Sequence, residues 1–324
     1  MVGKSRSELS LSEQPKPDEF GFDLNRALES VVALQSEIPE DAFTAPVLGV
    51  KRAGSGVVIG DDGLVLTIGY LITEAESVWL TRADGRLIPA HALAVDQETG
   101  FGLVQALEHV DLPALGLGSS RKAKTGDPVV VAAGGRRQFM RAQIVGKHEF
   151  AGYWEYFLDE AMFTAPAHPF WGGAGLIGAD GKLIGIGSLH IEQSGEQGAR
   201  RDVNMVVPID FLTPILGDLL KYGRVSRPAR PWLGVYCADS DDKVVIAGVA
   251  DGGPADTAGL RRGDVVVAVG DSPVTGLGEF YRKVWSCGAA GVEVPLAISR
   301  DERGIRLRIA TTDRASHFRK PKLH

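Results

Sequence analysis

Residues 54–72 read GSGVVIGDDGLVLTIGYLI, and this stretch decides the fold class of the chain. Its two apolar runs, VVIG and LVLTI, are rich in β-branched residues and flank Asp62-Gly63, a dipeptide typical of tight hairpin turns. Asp84-Gly85 and Asp180-Gly181 separate similar runs further along the chain. Short strands joined by such turns predict a mainly β protein, built as an antiparallel barrel or sandwich.

Composition narrows the class of protein. Glycine makes up 41 of the 324 residues, well above the roughly 7% of an average soluble protein. With 44% hydrophobic and 23% charged residues, the chain is not of the disordered class, and its length predicts about two domains. A net charge of −6 argues against nucleic-acid binding, because phosphate neutralisation needs a basic surface. No apolar run approaches the ~20 residues that span a bilayer, so no membrane span is expected.

The N-terminus and the cysteines bear on cellular location. Residues 1–25 contain no apolar core of a secretory signal. The chain has two cysteines, Cys237 and Cys287, and free thiols suit a reducing compartment. The sequence therefore predicts a cytoplasmic protein, or a periplasmic one if a leader has been trimmed from it.

Local patterns divide the chain into segments. Residues 1–22 are polar and predict a flexible N-terminal segment, and a short helix with Asp23 as its N-cap is expected over Asp23–Gln35. A later amphipathic helix is expected to end at Gly223. Residues 224–231, RVSRPARP, have the composition of a linker between domains. Residues 314–324 predict a solvated basic tail.

The region after the linker carries the most specific pattern. Residues 243–274 read KVVIAGVADGGPADTAGLRRGDVVVAVGDSPV, in which Pro254 starts a short helix and Gly259 ends it. WLGV precedes this stretch at 232–235, and a helical LGEFYRKVWSC follows it at 277–287. Together these segments resemble a PDZ domain of the type fused to HtrA (Deg) proteases.

This resemblance places a PDZ domain, a β-sandwich with two helices, at residues 232–313. It implies a partner, peptides or protein C-termini, that adds a strand to a sheet edge while backbone N–H groups hold its terminal carboxylate. The implied peptide-binding residues are Trp232, Leu233, Gly234, Val235, Phe280 and Val284. Leu233 and Val235 would floor the pocket for the last side chain. Phe280 and Val284 form either the helical wall of the groove or the domain core, and the sequence does not decide between the two.

The region before the linker resembles the protease domain of the same family. The likeness covers the opening stretch at 54–72 and continues at 80–107, 112–134, 170–189 and 203–216. It implies a trypsin-like double β-barrel over residues 23–223. It also implies a homo-oligomer, a trimer as in the family.

The three catalytic motifs of that family are recognisable, and each lacks its working residue. Serine proteolysis needs a nucleophilic hydroxyl, an imidazole that takes its proton, and a carboxylate that orients the imidazole. LTIGY carries Tyr70 at the histidine position, DQETGFG carries Gly100 at the aspartate position, and FWGGAGL carries Gly172 at the serine position. The resemblance therefore implies that the chain has no catalytic residues at the triad positions.

Neighbouring residues offer weaker alternatives. The oxyanion-hole donors would be the backbone N–H groups of Phe170 and Gly172, and we expect a ring of Phe170 or Trp171 to fill the vacated cleft. His168 is expected to be structural or solvent-facing. Ser188 and His190 share one face of a strand, which leaves a catalytic dyad open as an alternative.

No cofactor and no metal is expected, because the histidines and cysteines show no ligand spacing. The leading interpretation is a non-catalytic HtrA-like protein that binds peptides through its PDZ domain, in an adaptor, chaperone-like or regulatory role in protein quality control. Alternatives are a serine endopeptidase with a non-family catalytic arrangement, and a structural subunit that assembles with active HtrA protomers.

Overall fold

The computed structural model describes residues 16–134, 138–194, 200–240 and 243–319. The chain divides into two compact units. The first comprises the described residues of 16–148 and 160–225, and the second comprises residues 149–159 and the described residues of 226–319. Of the expected flexible N-terminal segment, residues 1–15 lie outside the described part, and a 3₁₀ turn covers Pro17–Glu19.

The first unit begins with a barrel. Its elements are α1 (Leu24–Glu29), β1 (Val31–Glu37), α2 (Ala45–Leu48), β2 (Lys51–Val58), β3 (Leu64–Ile68), β4 (Ser77–Thr81), β5 (Leu87–Val95) and β6 (Phe101–Ala106). The strands close in the order β1-β2-β3-β6-β5-β4. The opening stretch of the sequence forms β2 and β3, which pair antiparallel across the turn at Asp62-Gly63, where Gly63 has φ +82°.

A second closed barrel completes the first unit. Its elements are β7 (Pro128–Ala133), β8 (Gln138–Gly152), β9 (Tyr156–Ala165), β10 (Gly175–Ile177), β11 (Leu183–Ser194), β12 (Arg200–Pro208) and α3 (Leu216–Tyr222). The strands close in the order β10-β11-β12-β9-β8-β7. Its core is aliphatic, with Ile144, Met162 and Val206 almost fully buried. The helix expected to end at Gly223 does so, with Gly223 in the left-handed conformation as its C-cap.

The N-terminal helix is shorter than the sequence predicts. Asp23 is its N-cap and accepts a hydrogen bond from the Arg26 N–H at 3.0 Å, but the helix ends at Glu29 instead of continuing to Gln35. Val31 and Val32 lie in β1, where they pair with β2 and are buried. The prediction of a helix at these two valines was wrong, because β-branched side chains pack well in a strand when a partner strand is available.

The second unit is a small β-sheet domain. Its elements are β13 (Val235–Ser240), β14 (Lys243–Val249), α4 (Pro254–Thr257), β15 (Val265–Val269), β16 (Ser272–Pro273), α5 (Leu277–Ser286), β17 (Glu293–Arg300) and β18 (Arg303–Ala310). The sheet order is β13-β14-β15-β17-β18, and β16 pairs with β15. The strand β13 is therefore an edge strand. These units confirm the predicted fold class, a mainly β chain with a trypsin-like double barrel and a PDZ domain.

Two segments do not fall where the sequence analysis places them. Residues 149–159 join the second unit, although they form the end of β8, the start of β9 and the turn between these strands, and were expected within 23–223. The expected basic tail is not wholly solvated: Arg314–His317 form a 3₁₀ turn capped by Asp313, and Arg314 and His317 are partly buried. The physical reason is a set of contacts with the second unit, among them the ring of His317 packed on Trp232. Residues 320–324 of that tail lie outside the described part.

Candidate functional site

Tyr70 lies in a 3₁₀ turn directly after β3, at the position where the family has its histidine. Its hydroxyl donates a hydrogen bond to the Ser188 carbonyl oxygen at 3.0 Å. Its own carbonyl oxygen accepts a hydrogen bond from Arg52 Nη1 at 2.7 Å. Two hydrogen bonds therefore fix Tyr70, one made by its hydroxyl group and one by its backbone carbonyl oxygen.

Gly172 lies directly against this phenol. A Cβ atom added at Gly172 would lie 2.7 Å from Tyr70 Oη, which is closer than ordinary packing allows. The Gly172 carbonyl oxygen accepts a hydrogen bond from the Ser55 N–H at 2.8 Å, which ties the backbone at Gly172 to β2. The Tyr70 hydroxyl therefore occupies the place that a side chain at position 172 would need.

The phenol is also a poor base. Burial raises the pKa of Tyr70 above its ordinary value of 10, and a hydrogen bond from the Trp171 side chain only partly offsets this. A hydroxyl with a raised pKa stays protonated at neutral pH, so it donates hydrogen bonds but does not remove a proton from a nucleophile. This position provides no general base.

Gly100 has a role in the backbone that the sequence analysis missed. Its φ is +82°, in the left-handed region, and its N–H donates to the Asp96 carbonyl oxygen at 2.9 Å. Its carbonyl oxygen accepts from the Gly69 N–H at 2.7 Å, next to Tyr70. The turn therefore brings position 100 beside Gly69, the residue before Tyr70. Glycine there forms a turn as well as lacking a carboxylate.

The backbone N–H of Phe170, one of the expected oxyanion-hole donors, already has a hydrogen-bond acceptor. The Phe170 N–H donates to Nδ1 of His168 at 3.0 Å, and the fully buried His168 is fixed by the side chain of Asn204 through its own backbone. His168 thus has the structural role expected of it. Phe170 and Trp171 are partly buried, and the Trp171 side chain hydrogen-bonds the Tyr70 hydroxyl, which lies in the place of a side chain at position 172. That one of the two rings fills the cleft stays a prediction.

The Ser188–His190 alternative meets a local irregularity. The pairing of β11 with β12 shifts between Gly187 and Leu189, which leaves Ser188 as a bulge residue. A bulge breaks the alternation on which the shared-face argument depends. Ser188 is 4% exposed, whereas His190 is partly exposed and lies 3.7 Å from the carboxylate of Asp202.

The loop that precedes β13 already holds a carboxylate. The backbone N–H of Leu233 donates to Oε2 of Glu155 at 2.9 Å. The N–H groups of Gly234 and Val235 donate to Oε1 of the same residue at 2.7 and 2.9 Å. Gly234 has φ +80°, a conformation that aims successive N–H groups at one point. Trp232 is not a donor to this carboxylate through its N–H, which pairs with Thr312 at 3.0 Å.

The helix positions expected to line the groove are buried. Phe280 and Val284 of α5 are 0% and 1% exposed, and both belong to the core cluster that also holds Leu233 and Val235. Phe157, at the start of β9 in the segment 149–159 that joins this unit, belongs to the same cluster. Phe280 and Val284 thus pack in the core of this unit, and a role for them in lining a peptide groove stays a prediction.

Comparison with known proteins follows the same division. Residues 54–186 match the trypsin-like peptidase domain family, and residues 231–311 match the PDZ domain family. The chain is an HtrA/Deg-type serine protease homologue.

Relatives and solved structures with HtrA- or Deg-type names are similar to this chain. A probable periplasmic DegP-like serine endoprotease of Hahella chejuensis is 27% identical over 67% of this chain and 48% of its own length. Serine endoprotease DegS of Salmonella typhimurium is 22% identical over 92% of this chain and 86% of its own. The HtrA-type protease AlgW with decapeptide is similar in fold, with a TM-score of 0.54 and 21% identity, covering 92% of this chain and 98% of that one. The chain spans about half the length of the DegP-like relatives it matches.

The comparisons correct the expected location of this HtrA/Deg-type chain. The DegP-like relatives carry the word periplasmic in their names, which contradicts the cytoplasmic prediction. The prediction relied on the cysteine count and on the first residues of the sequence. Neither of these identifies the compartment, because a chain with two unpaired cysteines folds in an oxidising compartment as well as in a reducing one. Cys237 is buried and Cys287 is partly buried, and both are free.

Within the described residues, no group of three or more His, Cys, Asp or Glu side chains is arranged to hold a metal ion. Across the same residues, no helix is both long and apolar enough to cross a membrane.

Sequence reasoning missed Glu155, Phe157 and Arg314. Glu155 lies in GYWEYF, and this local sequence does not indicate which groups the carboxylate contacts. Burial raises the pKa of Glu155 from 4.5 to about 7, opposed by the hydrogen bonds from the loop and by the positive charge of Arg314. Arg314 was assigned to the basic tail, and nothing in its local sequence indicates a buried partner.

Proposed function

We propose that this HtrA/Deg-type homologue is non-catalytic and acts by binding peptides or protein C-termini through its PDZ unit. The observation that carries the proposal is the 2.7 Å approach of Tyr70 Oη to a Cβ at position 172. Without a hydroxyl at 172 there is no acyl acceptor, and without an imidazole at 70 there is no base to activate one.

The binding half of the proposal rests on the loop before β13. Its N–H groups at Leu233, Gly234 and Val235 are arranged to hold a carboxylate, as the distances to Glu155 illustrate. Capture of a terminal carboxylate by such a loop, next to an edge strand, is how PDZ domains recognise peptides. The HtrA-type protease AlgW was solved with a decapeptide, which supports the same class of ligand for this chain.

Location and assembly complete the proposal. The names of the DegP-like relatives support the periplasm as the working compartment. Family resemblance supports a homo-trimer, which light scattering on the purified chain would test. A mass of one or two subunits at micromolar concentration would remove the trimer from the proposal and leave the rest standing.

The experiment that tests the loss of catalysis is labelling by a fluorophosphonate serine probe, with unfolded casein as the protein substrate. Trypsin at equal concentration is the positive control, and a Ser188→Ala variant is the matched negative control. We expect no labelling and no casein cleavage above the buffer blank. Labelling that disappears in Ser188→Ala would refute the proposal in favour of a serine endopeptidase with a non-family arrangement.

A further inference from the structure

The turn between β8 and β9 lies along the edge strand of the second unit. The Tyr153 carbonyl oxygen accepts a hydrogen bond from the Cys237 N–H of β13 at 2.7 Å. The Gly152 carbonyl oxygen accepts one from Tyr281 Oη of α5 at 2.8 Å, and the same oxygen atom of Tyr281 accepts the Glu155 N–H at 3.1 Å. Residues 152–155, called the tip below, are therefore bonded to both the strand and the helix that border a PDZ peptide groove.

The side chain at the end of the tip completes this contact. Glu155 is 8% exposed, and its carboxylate is held by the backbone N–H groups of Leu233, Gly234 and Val235. Strand addition to a sheet edge and carboxylate capture by consecutive N–H groups are the two elements of peptide recognition by this fold. Here residues of the same chain make one backbone hydrogen bond to the edge strand, at Cys237, and the carboxylate contact to the loop before it.

The contact is anchored on its apolar side as well. Phe157 is 6% exposed within the core cluster that contains Val235 and Phe280. The guanidinium of Arg282 lies 4.3 Å from the centre of its ring and bonds Glu149 at 2.6 Å. Phe157 thus anchors the segment 149–159 in the core of the domain, and Glu149 adds an ion pair at its surface.

The backbone of the tip has an unusual conformation at Glu155. Glu155 has φ +58°, a left-handed conformation that is unfavourable for a residue with a side chain unless surrounding contacts enforce it. Glycine would adopt this conformation without strain. A glutamate at this position places a carboxylate where the loop before β13 can bind it.

We propose that the tip is an internal ligand of the PDZ groove, with the Glu155 carboxylate in the place of a peptide C-terminus. External C-terminal peptides then bind only after the tip leaves. This inference rests on the proposed peptide-binding function. Because the tip is tethered to the domain, it competes at an effective concentration on the order of millimolar, which suppresses the binding of any weaker free peptide.

The test compares full-length chains that differ at Glu155. Glu155→Gly removes the carboxylate and suits the left-handed backbone, and Glu155→Gln removes only the charge. Asp159→Asn is the matched control, because Asp159 is an acid of the same segment with an 86% exposed side chain. The probes are fluorescein-labelled decapeptides with free C-terminal Val, Leu or Phe, each paired with its C-terminally amidated form, read by fluorescence anisotropy.

We expect Glu155→Gly to bind at least one free-carboxylate probe about tenfold or more tightly than wild type and Asp159→Asn do. The amidated forms should gain much less. Equal affinity of wild type and Glu155→Gly for a probe that binds both would overturn the inference while leaving peptide binding intact.

A second measurement separates the inference from the proposed function if no probe binds any variant. Hydrogen exchange by mass spectrometry reports on the amides of residues 233–235 without a peptide. The internal ligand predicts slow exchange in wild type and in Asp159→Asn, and at least tenfold faster exchange in Glu155→Gly and in Glu155→Gln. Fast exchange in wild type would contradict the inference, whereas slow exchange with no peptide bound by any variant would contradict only the proposed function. Circular dichroism spectra that match wild type show that each variant is folded.

Discussion

Two places in this molecule where the family binds or cleaves peptides are filled by side chains of the chain itself, and they are filled differently. In the first unit, the Tyr70 hydroxyl occupies the place of a side chain at Gly172, and the groups that would do chemistry are replaced. In the second unit, Glu155 occupies a loop whose binding groups, the N–H groups of residues 233–235, are all present. In the first place the residues at the triad positions differ in type from those of the family, whereas in the second the binding groups are present and hold the Glu155 carboxylate.

The largest effect that would test this contrast is expected at Phe157. Phe157→Ala should lower the free energy of unfolding by about 3–5 kcal/mol, because it empties a buried aromatic site in the core of the second unit. Urea unfolding followed by tryptophan fluorescence measures it. The control is Val267→Ala, whose side chain belongs to a residue that is 48% exposed and should change stability much less. A cost below about 1 kcal/mol for Phe157→Ala would mean that the segment 149–159 is not packed into the core.

The next effect concerns pH. Burial raises the pKa of Glu155 from 4.5 to about 7, so the folded chain binds this proton more tightly than the unfolded chain. Stability from this group is therefore present at low pH and falls as pH rises from about 4.5 through about 7, by on the order of 2 kcal/mol between pH 5.5 and pH 8.

The measurement is the difference in unfolding free energy between wild type and Glu155→Gln at each pH. This difference isolates Glu155 from other groups that titrate in the window. The ionisable groups coupled to it are Arg314, Tyr236, Tyr281 and Cys237, and Asp251 lies near Tyr236. Of these, Tyr236, Tyr281 and Cys237, whose pKa values are raised by burial, stay neutral in this window. A constant difference from pH 5.5 to pH 8 would show that the carboxylate does not titrate with folding.

A smaller effect is expected in the first unit. Gly172→Ala should destabilise by about 1–2 kcal/mol, because its Cβ would approach Tyr70 Oη to 2.7 Å and displace a hydroxyl that bonds the Ser188 carbonyl oxygen. In the Tyr70→Phe background the same substitution should be close to neutral, since the hydroxyl is gone. Gly116→Ala is the control, because a Cβ there meets nothing within 4 Å. An unchanged penalty in the Tyr70→Phe background would remove the phenol as the cause.

The smallest effect is expected at the surface of the segment 149–159. Glu149→Gln breaks an ion pair with Arg282 in which both side chains are about half exposed, so it should lower the unfolding free energy by less than ~1 kcal/mol. Raising the salt concentration should have a similar effect on wild type and none on the variant at this pair. A loss above about 2 kcal/mol would show that the charge contacts, not the Phe157 packing, anchor the segment.

The sequence predicted those parts of the fold that depend on local chemistry. Asp62-Gly63 predicts the turn between β2 and β3, and Gly223 predicts the end of α3, because glycine adopts left-handed backbone without a steric penalty. The same local reasoning failed at Val31 and Val32, which a helical pattern and a strand pattern fit equally well until β2 is present as a partner.

The candidate sites divide along the same line. Tyr70 and Gly172 stand in recognisable motifs, so their positions along the chain could be predicted, although the contact between the hydroxyl and the place of a Cβ could not. The loop at 232–235 was predicted to hold a carboxylate with backbone N–H groups. Its occupant was not, because Glu155 precedes Leu233 by 78 residues and no local pattern joins them.

The amino-acid sequence by itself determined the order of the domains, the turns and the absence of the catalytic side chains at positions 70, 100 and 172, because each depends on residue type and near neighbours. Only the tertiary structure decided what fills the spaces that those domains enclose. Tyr70 fills the place beside Gly172 and Glu155 fills the loop before β13, and both outcomes depend on distances between segments far apart in sequence, which packing alone sets.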